Sequence, residues 1–278
     1  MQITPEQLKG RIRNIAKENK ADARTLLRLY MMEHFLERVA SSQYKNNFII
    51  KGGILVTAMI GVAHRSTMDI DTSIKNQNLS IKDASRIVNE IKDIDLNDGI
   101  VFEVKEVLQI MDEMEYPGIR FTMNAVMGKL VTPIKIDIST GDAITPNAIE
   151  YQYKLLLDNR SIQLLSYNLE TMLSEKLQTV LARGVLNTRM RDFYDIEMLL
   201  SIYGKDIDTD ILKKAFEATC QKRGTIYLRE QSTDIISTIS NDKEMHSRWE
   251  LYQKKFPYAA NINYEDIMES IKHLCNFI

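Results

Sequence analysis

The sequence is short of several things, and each shortage excludes a class of protein. Two cysteines, Cys220 and Cys275, stand among 278 residues. That is too few for a disulfide framework or a thiolate metal site, and both thiols read as structural groups in a reducing, cytoplasmic setting. The net charge is only -2, so no global basic field marks a nucleic-acid binder, and any basic surface must be local. No apolar run is long enough to cross a bilayer: the most apolar stretch, 48–63, is interrupted by Lys51, Gly52 and Gly53. The opening residues, Met1-Gln2-Ile3-Thr4-Pro5, lack the pattern of a secretory leader. Internal repeats and low-complexity tracts are missing too. What is there is 44% hydrophobic, enough for a real core in one large or two modest domains. The expectation is a soluble, cytoplasmic protein with no membrane association.

Three zones follow along the chain. From Thr4 to about Ser42 the pattern is helical. Thr4-Pro5-Glu6-Gln7 carries an N-cap threonine, a first-turn proline and a capping-box glutamine. Leu26, Leu27, Tyr30, Met31, Phe35, Leu36 and Val39 recur at helical spacing and read as core. From about Asn46 to Pro146 strands and helices mix. Phe48-Ile49-Ile50 reads as a strand, 54–60 as a helix, 68–73 as a strand and 79–91 as a helix. Segments 100–107, 119–127 and 133–139 read as further strands, spaced closely enough for antiparallel pairing. From about Ser166 the pattern is mainly helical, with periodic stretches at 169–181, 193–202, 208–220 and 264–277. Thr145-Pro146-Asn147 reads as the joint, giving a division into 1–146 and 147–278.

Asp69 and Asp71 lie two apart on a predicted strand, so both carboxylates share a face. Like charges so placed repel, and a divalent cation between them gives the pair a purpose. Mg²⁺ takes one or two carboxylates plus substrate phosphates, and two such ions can clamp both oxygens of a phosphoryl transfer. Asp137, in Ile134-Lys135-Ile136-Asp137-Ile138-Ser139, is a candidate third carboxylate, although a lone aspartate in that pattern reads first as a solvated strand residue. Upstream, Gly52-Gly53 falls between a strand and a helix. Glycines there let backbone approach phosphate, and a helix start offers N–H groups to an anion. Arg65 and Thr67 are candidate phosphate donors, whereas Ser66 reads as ordinary loop. His64 and Tyr194 are generic.

Strand, Gly-Gly, helix, Asp-x-Asp strand and a later strand aspartate together resemble the nucleotidyltransferase fold of the polymerase-beta superfamily. Phe48-Ile49-Ile50-Lys51-Gly52-Gly53-Ile54-Leu55, followed by Arg65-Ser66-Thr67-Met68-Asp69-Ile70-Asp71, more narrowly resembles the AbiEii/AbiGii toxin family of abortive-infection and type IV toxin–antitoxin systems. Leu173-Ser174-Glu175-Lys176-Leu177 looks like that family's helical motif with an essential lysine. Arg191-Asp192-Phe193-Tyr194-Asp195 looks like its Arg-Asp-x-x-Asp motif. Arg223-Gly224-Thr225 and Trp249 also fall where the family tends to place such residues. The resemblance spans nearly the whole chain and is loose after about Asp208. It implies an α+β protein, with a mixed nucleotidyltransferase sheet, N-terminal helices and a mainly helical C-terminal domain.

The helical motifs make independent sense. Lys176 and Arg183 are seven apart and share a helix face; a lysine can meet a triphosphate as a point charge and an arginine can grip phosphate bidentately. Asp192 and Asp195 lie three apart; the resemblance implies one essential acid here, and Asp192 is the candidate. Arg191 and Asp195 form a possible i,i+4 support. Arg160, Arg183, Arg189 and Arg191 make a locally basic stretch, equally readable as surface charge. The expected function is an Mg²⁺-dependent enzyme moving a nucleoside monophosphate from an NTP to an acceptor. Asp69, Asp71 and Asp137 would hold metal, and Gly52, Gly53 and Lys176 the triphosphate. The resemblance implies a toxin acting on RNA (tRNA) or protein, with a separately encoded antitoxin. Rival readings are a catalytically silent nucleotide-binding regulator and a small-molecule, antibiotic-type nucleotidyltransferase.

Overall fold

The computed structural model describes residues 3–75, 80–111 and 117–278. The chain divides into two compact units. Unit 1 comprises 1–142 and 149–166, and unit 2 comprises 143–148 and 167–278.

Unit 1 starts with α1 (Pro5–Glu18), whose expected capping box is present: Gln7 N–H donates to Thr4 Oγ1 at 3.2 Å and Thr4 N–H to Gln7 Oε1 at 2.9 Å. Lys20, with φ of 50°, breaks the helical zone before α2 (Ala23–Ser41). The predicted apolar positions of α2 are buried, apart from half-buried Leu27. So are Glu33, His34, Glu37 and Arg38, because the helix is covered on more than one side. Arg38 donates from both terminal nitrogens to Asp98, at 2.8 and 2.9 Å.

There follow β1 (Phe48–Lys51), α3 (Gly52–Ile60), β2 (Asp69–Ile74), α4 (Ile81–Lys92), β3 (Val101–Met111), β4 (Pro117–Met127) and β5 (Leu130–Thr140). Of the helix expected over 79–91, Leu79 lies outside the described residues. Two strands not anticipated from the sequence, β6 (Ile149–Lys154) and β7 (Ser161–Ser166), complete a seven-stranded mixed sheet in the order β3-β4-β5-β2-β1-β7-β6. The line drawn from the sequence at 146 falls ahead of this pair. β7 pairs parallel with β1, Ile49 opposite Leu165, and that backbone ladder carries the hairpin into unit 1. β2 is central, antiparallel to β1 and parallel to β5. Ile70, Ile134, Ile136 and Ile138 are fully buried beneath it. Each such side chain is worth about 2 kcal/mol, and a one-residue slip would bury the aspartates in their place, so the apolar face fixes the register. A bulge between Val104 and Glu106 ends the clean alternation expected along β3.

Unit 2 is helical among the described residues: α5 (Leu169–Arg183), α6 (Met190–Tyr203), α7 (Thr209–Lys222), α8 (Leu228–Asn241), α9 (Lys243–Lys255) and α10 (Tyr264–Cys275). Asn168, Asp208 and Asp242 cap α5, α7 and α9 through side-chain acceptors. Leu173, Leu177, Phe193, Phe216, Trp249 and Ile271 fill its core. The proline joint is tied in by Asn168, whose amide donates to the Thr145 carbonyl at 2.6 Å. Cys220 and Cys275 are free thiols. No described helix is long and apolar enough to cross a membrane.

Candidate active site

In unit 1 the two glycines and the second aspartate interlock. β1 ends at Lys51, opposite Asp71 of β2. The chain then turns into α3 at Gly52 with φ of +58°, a conformation that side chains rarely adopt. Space demands glycine as well as angle. A methyl at Gly52 would come within 2.9 Å of Asp71 Cβ and Cγ, and closer still to Oδ2. Gly53 N–H donates to Asp71 Oδ2 at 3.2 Å. The free N–H that the sequence offered to a phosphate at Gly53 is therefore already given to this carboxylate. A methyl at Gly53 would stand 2.7 Å from Thr67 Oγ1 and 3.3 Å from Arg65 Nη2. Arg65 and Thr67 are both buried, Arg65 donating to the Ser66 carbonyl and Thr67 to the Asp69 carbonyl. Expected as open phosphate donors, they are placed instead as packing beneath the glycine turn.

The strand register assembles the acids. Asp69 stands opposite Lys135, and Asp71 opposite Asp137 on the parallel neighbour β5. Burial, followed by the Asp137 charge, pushes the Asp71 carboxyl up to about 6, against the Gly53 N–H and Lys51. Burial and then Asp137 also raise Asp69. The Asp69 carboxylate makes no hydrogen bond among the described residues. Asp137 is engaged differently. Arg120 on β4 grips it bidentately, Nε to Oδ1 at 2.8 Å and Nη2 to Oδ2 at 2.6 Å. Among the described residues no three carboxylate, histidine or cysteine groups form a cluster able to hold a metal ion. The three-carboxylate metal set expected from the sequence is thus not preassembled. Asp69 and Asp71 fit a hard cation by donor type and by carboxyls that burial and neighbouring acid leave raised, whereas Asp137 is turned to arginine.

Lys51 belongs to the same neighbourhood. Its Nζ lies 2.8 Å from Asp142 Oδ2, to which Ser139 Oγ also donates at 2.6 Å. Burial would raise Asp142, but Lys51 and its hydrogen bonds outweigh it and hold the carboxyl down at about 2.

Unit 2 gathers the motif residues of α5 and α6. Buried Lys176 Nζ donates to Asp192 Oδ1 at 3.1 Å and to Asp195 Oδ2 at 2.6 Å. Arg189 Nε donates to Asp192 Oδ2 at 2.8 Å. Both acids therefore meet the lysine, Asp192, the sequence candidate, and Asp195 alike. Arg191 does not pair with Asp195 in the expected support; its guanidinium lies 5.4 Å over the Phe256 ring. Arg183 is half-buried and makes no ion pair among the described residues. In unit 1 Arg160 is held by Asp158 and Glu37, so two of the four arginines of the basic stretch, Arg160 and Arg189, are in internal ion pairs. Arg223 donates to Gln178 at 2.5 Å and lies 3.5 Å from Glu175. Tyr194 is buried against Tyr252 and Tyr258, and His64 is exposed.

Sequence reasoning missed Arg120 and Asp142. Arg120 sits in an alternating strand, opposite Asp137 across a short hairpin, and counting back from the two-residue turn Gly128-Lys129 would have found it. Nothing local signals Asp142.

A mixed sheet bearing an Asp-x-Asp strand beside a glycine-turned helix is the frame of a nucleotidyltransferase. Two solved structures share the fold. JHP933 from Helicobacter pylori is 16% identical, with a TM-score of 0.52 over 91% of this chain and 89% of that one. An H. pylori protein assigned as a nucleotidyltransferase is 16% identical, with a TM-score of 0.51 over 91% and 92%. The sequence profile of the nucleotidyl transferase AbiEii toxin family, type IV TA system, matches residues 34–270. The chain belongs to that family and is an NTP-dependent nucleotidyltransferase. No curated protein matches it.

Proposed function

We propose that the protein is the toxin of a type IV toxin–antitoxin pair, transferring a nucleoside monophosphate from an NTP to an RNA acceptor, tRNA in the first instance, with Mg²⁺. The supporting observation is the interlock of Asp71 with Gly52 and Gly53 beside the unpaired carboxylate of Asp69. Asp69 and Asp71 would hold Mg²⁺, with phosphate and water completing its shell. The ion supplies charge neutralisation at the reacting phosphorus and a more acidic attacking hydroxyl. Gly52 and Gly53 would meet the triphosphate through the backbone of the α3 start, where they also let Asp71 close against the turn. Arg65 and Thr67 hold that turn from below. Asp137 shares its charge with Arg120 and sets the field on Asp71. In unit 2, Lys176 is the cation for the nucleotide, and Asp192 and Asp195 position it. Arg183 is a phosphate contact, and the separately encoded antitoxin is the functional partner.

The test is incubation with each labelled NTP, Mg²⁺ and total tRNA. Label should reach RNA with the wild type and not with Asp69→Ala. Transfer that survives Asp69→Ala would overturn the metal assignment, and label appearing on protein alone would overturn the RNA assignment.

A further inference from the structure

Arg28 belongs to none of the motifs above, yet α2 brings its guanidinium to the start of β2. Nη1 donates to the Met68 sulfur at 3.0 Å, and Met68 directly precedes Asp69, the first residue of β2. Both elements belong to unit 1. The charge of Arg28 bears on the acid next door. Burial first, and then Asp137, raise the Asp69 carboxyl; Lys135, Arg120 and Arg28, in that order, pull it down.

Arg28 is poorly served where it stands. A thioether is a weak acceptor. Nε is buried with no hydrogen-bond partner, and no acid among the described residues lies within ion-pairing distance. Its neighbours three and four residues away along α2 are Arg24, Thr25, Met31 and Met32. None is acidic, so the helix supplies no counter-charge of its own. A guanidinium stays charged at every working pH, and holding it half-buried with donors unused costs free energy. Met68 is itself 40% exposed, so the place where the two meet borders solvent.

The other two cations that act on Asp69 are held differently. Arg120 is committed to both oxygens of Asp137. Lys135 is exposed on β5, a hydrated charge on a flexible stem. Arg28 is neither committed to an acid nor loosely held. In nucleotidyl transfer the group that comes to Asp69 is a triphosphate with its cation. Phosphate oxygens are acceptors, and a guanidinium meets them with planar, charge-assisted donors.

We propose that Arg28 is a phosphate contact of the NTP, exchanging the Met68 sulfur for a non-bridging oxygen of the triphosphate beside Asp69. The inference rests on the nucleotidyl-transfer reading and adds to it a residue from the N-terminal helices.

The test is calorimetric titration of the full chain with each of the four ribonucleoside triphosphates in Mg²⁺, and separately with total tRNA, at low and high salt. Arg28→Met keeps an unbranched side chain and loses the charge. It should weaken the best-bound NTP about tenfold, the worth of one charge-assisted hydrogen bond. It should also flatten the fall of NTP affinity with added salt and leave tRNA affinity unchanged. The proposal is overturned by undiminished NTP affinity in a folded Arg28→Met variant. It is overturned equally by a loss whose salt dependence matches wild type, which marks a structural role, or by a loss confined to tRNA, which gives the arginine to the acceptor. Each of these leaves nucleotidyl transfer standing, whereas a wild type that binds no NTP overturns that reading and this one together.

Discussion

Replacing Gly52 by alanine separates two penalties that usually come together. The first is backbone strain: a side chain at φ of +58° costs about 1–2 kcal/mol. The second is steric. The new methyl would stand 2.9 Å from Asp71 Cβ and Cγ, in a β2 that is pinned on both sides. Overpacking of that kind costs about 1–3 kcal/mol more. Gly128 provides the matched control. It also has φ of +58°, but a methyl there meets only Pro5 Cγ, at an ordinary 3.4 Å. Urea unfolding should show Gly128→Ala losing about 1–2 kcal/mol and Gly52→Ala about 2–5 kcal/mol. Relief of the clash must move the Asp71 carboxylate off the Gly53 N–H. A shift of about 1 Å in a catalytic group can cost about a hundredfold. Label transfer should therefore fall about a hundredfold in Gly52→Ala and stay near wild type in Gly128→Ala. If the two alanine variants match in both stability and turnover, the interlock is not what positions Asp71.

Three further outcomes follow from the charges. The Asp71 carboxyl is raised to about 6, so its burden on the folded state is absent at low pH and grows as pH rises from about 4 through about 6; Asp71→Asn should then be up to about 3 kcal/mol more stable than wild type near pH 8 without Mg²⁺. Equal wild-type and variant stability across that range, measured by urea titration, would show that the site does not hold uncompensated charge. Lys176→Met leaves two buried aspartates short of their shared cation and should cost about 3–5 kcal/mol; circular dichroism melts that match wild type would remove the lysine from the structural network. The Asp98 carboxyl is buried, which alone would raise it, but His34 and Arg38 hold it well below the ordinary range. Its contribution is present above about pH 4 and is lost as pH falls, so Asp98→Asn should cost about 3 kcal/mol near pH 7 and progressively less on acidification. A deficit independent of pH would refute the ion pair as its source.

The parts of the fold visible in the sequence are those written in local period. Ile134, Ile136 and Ile138 alternate, so β5 and its buried face could be read directly. Thr4 and Gln7 stand three apart, so the first helix start could be read too. β6 and β7 were invisible because their ladder is not local. Ile149 and Glu150 are exposed, Tyr153 is buried, and β7 gains its place only through β1, more than a hundred residues earlier. The burial of charged α2 positions is equally non-local: Glu33, Glu37 and Arg38 are covered through partners from distant segments.

The site divides along the same line. Asp69, Asp71 and the glycines declare themselves because their spacing is itself the chemistry. Their roles are set by neighbours that spacing cannot supply. Gly52 read as room for a phosphate, yet the group it visibly makes room for is the Asp71 carboxylate. Asp137 read as a metal ligand, yet Arg120, seventeen residues away across a hairpin, already holds both its oxygens. A bidentate guanidinium is the pairing that a carboxylate leaves least readily. For Asp137 to join a metal, Arg120 would have to give it up to another anion, and a triphosphate is an anion of that kind. Arg120→Ala should therefore not act as a simple loss of a surface charge. It should raise affinity for Mg²⁺ in the absence of NTP by freeing a third carboxylate, while lowering transfer. Unchanged Mg²⁺ affinity in Arg120→Ala would mean that Asp137 takes no part in the metal site with or without its arginine.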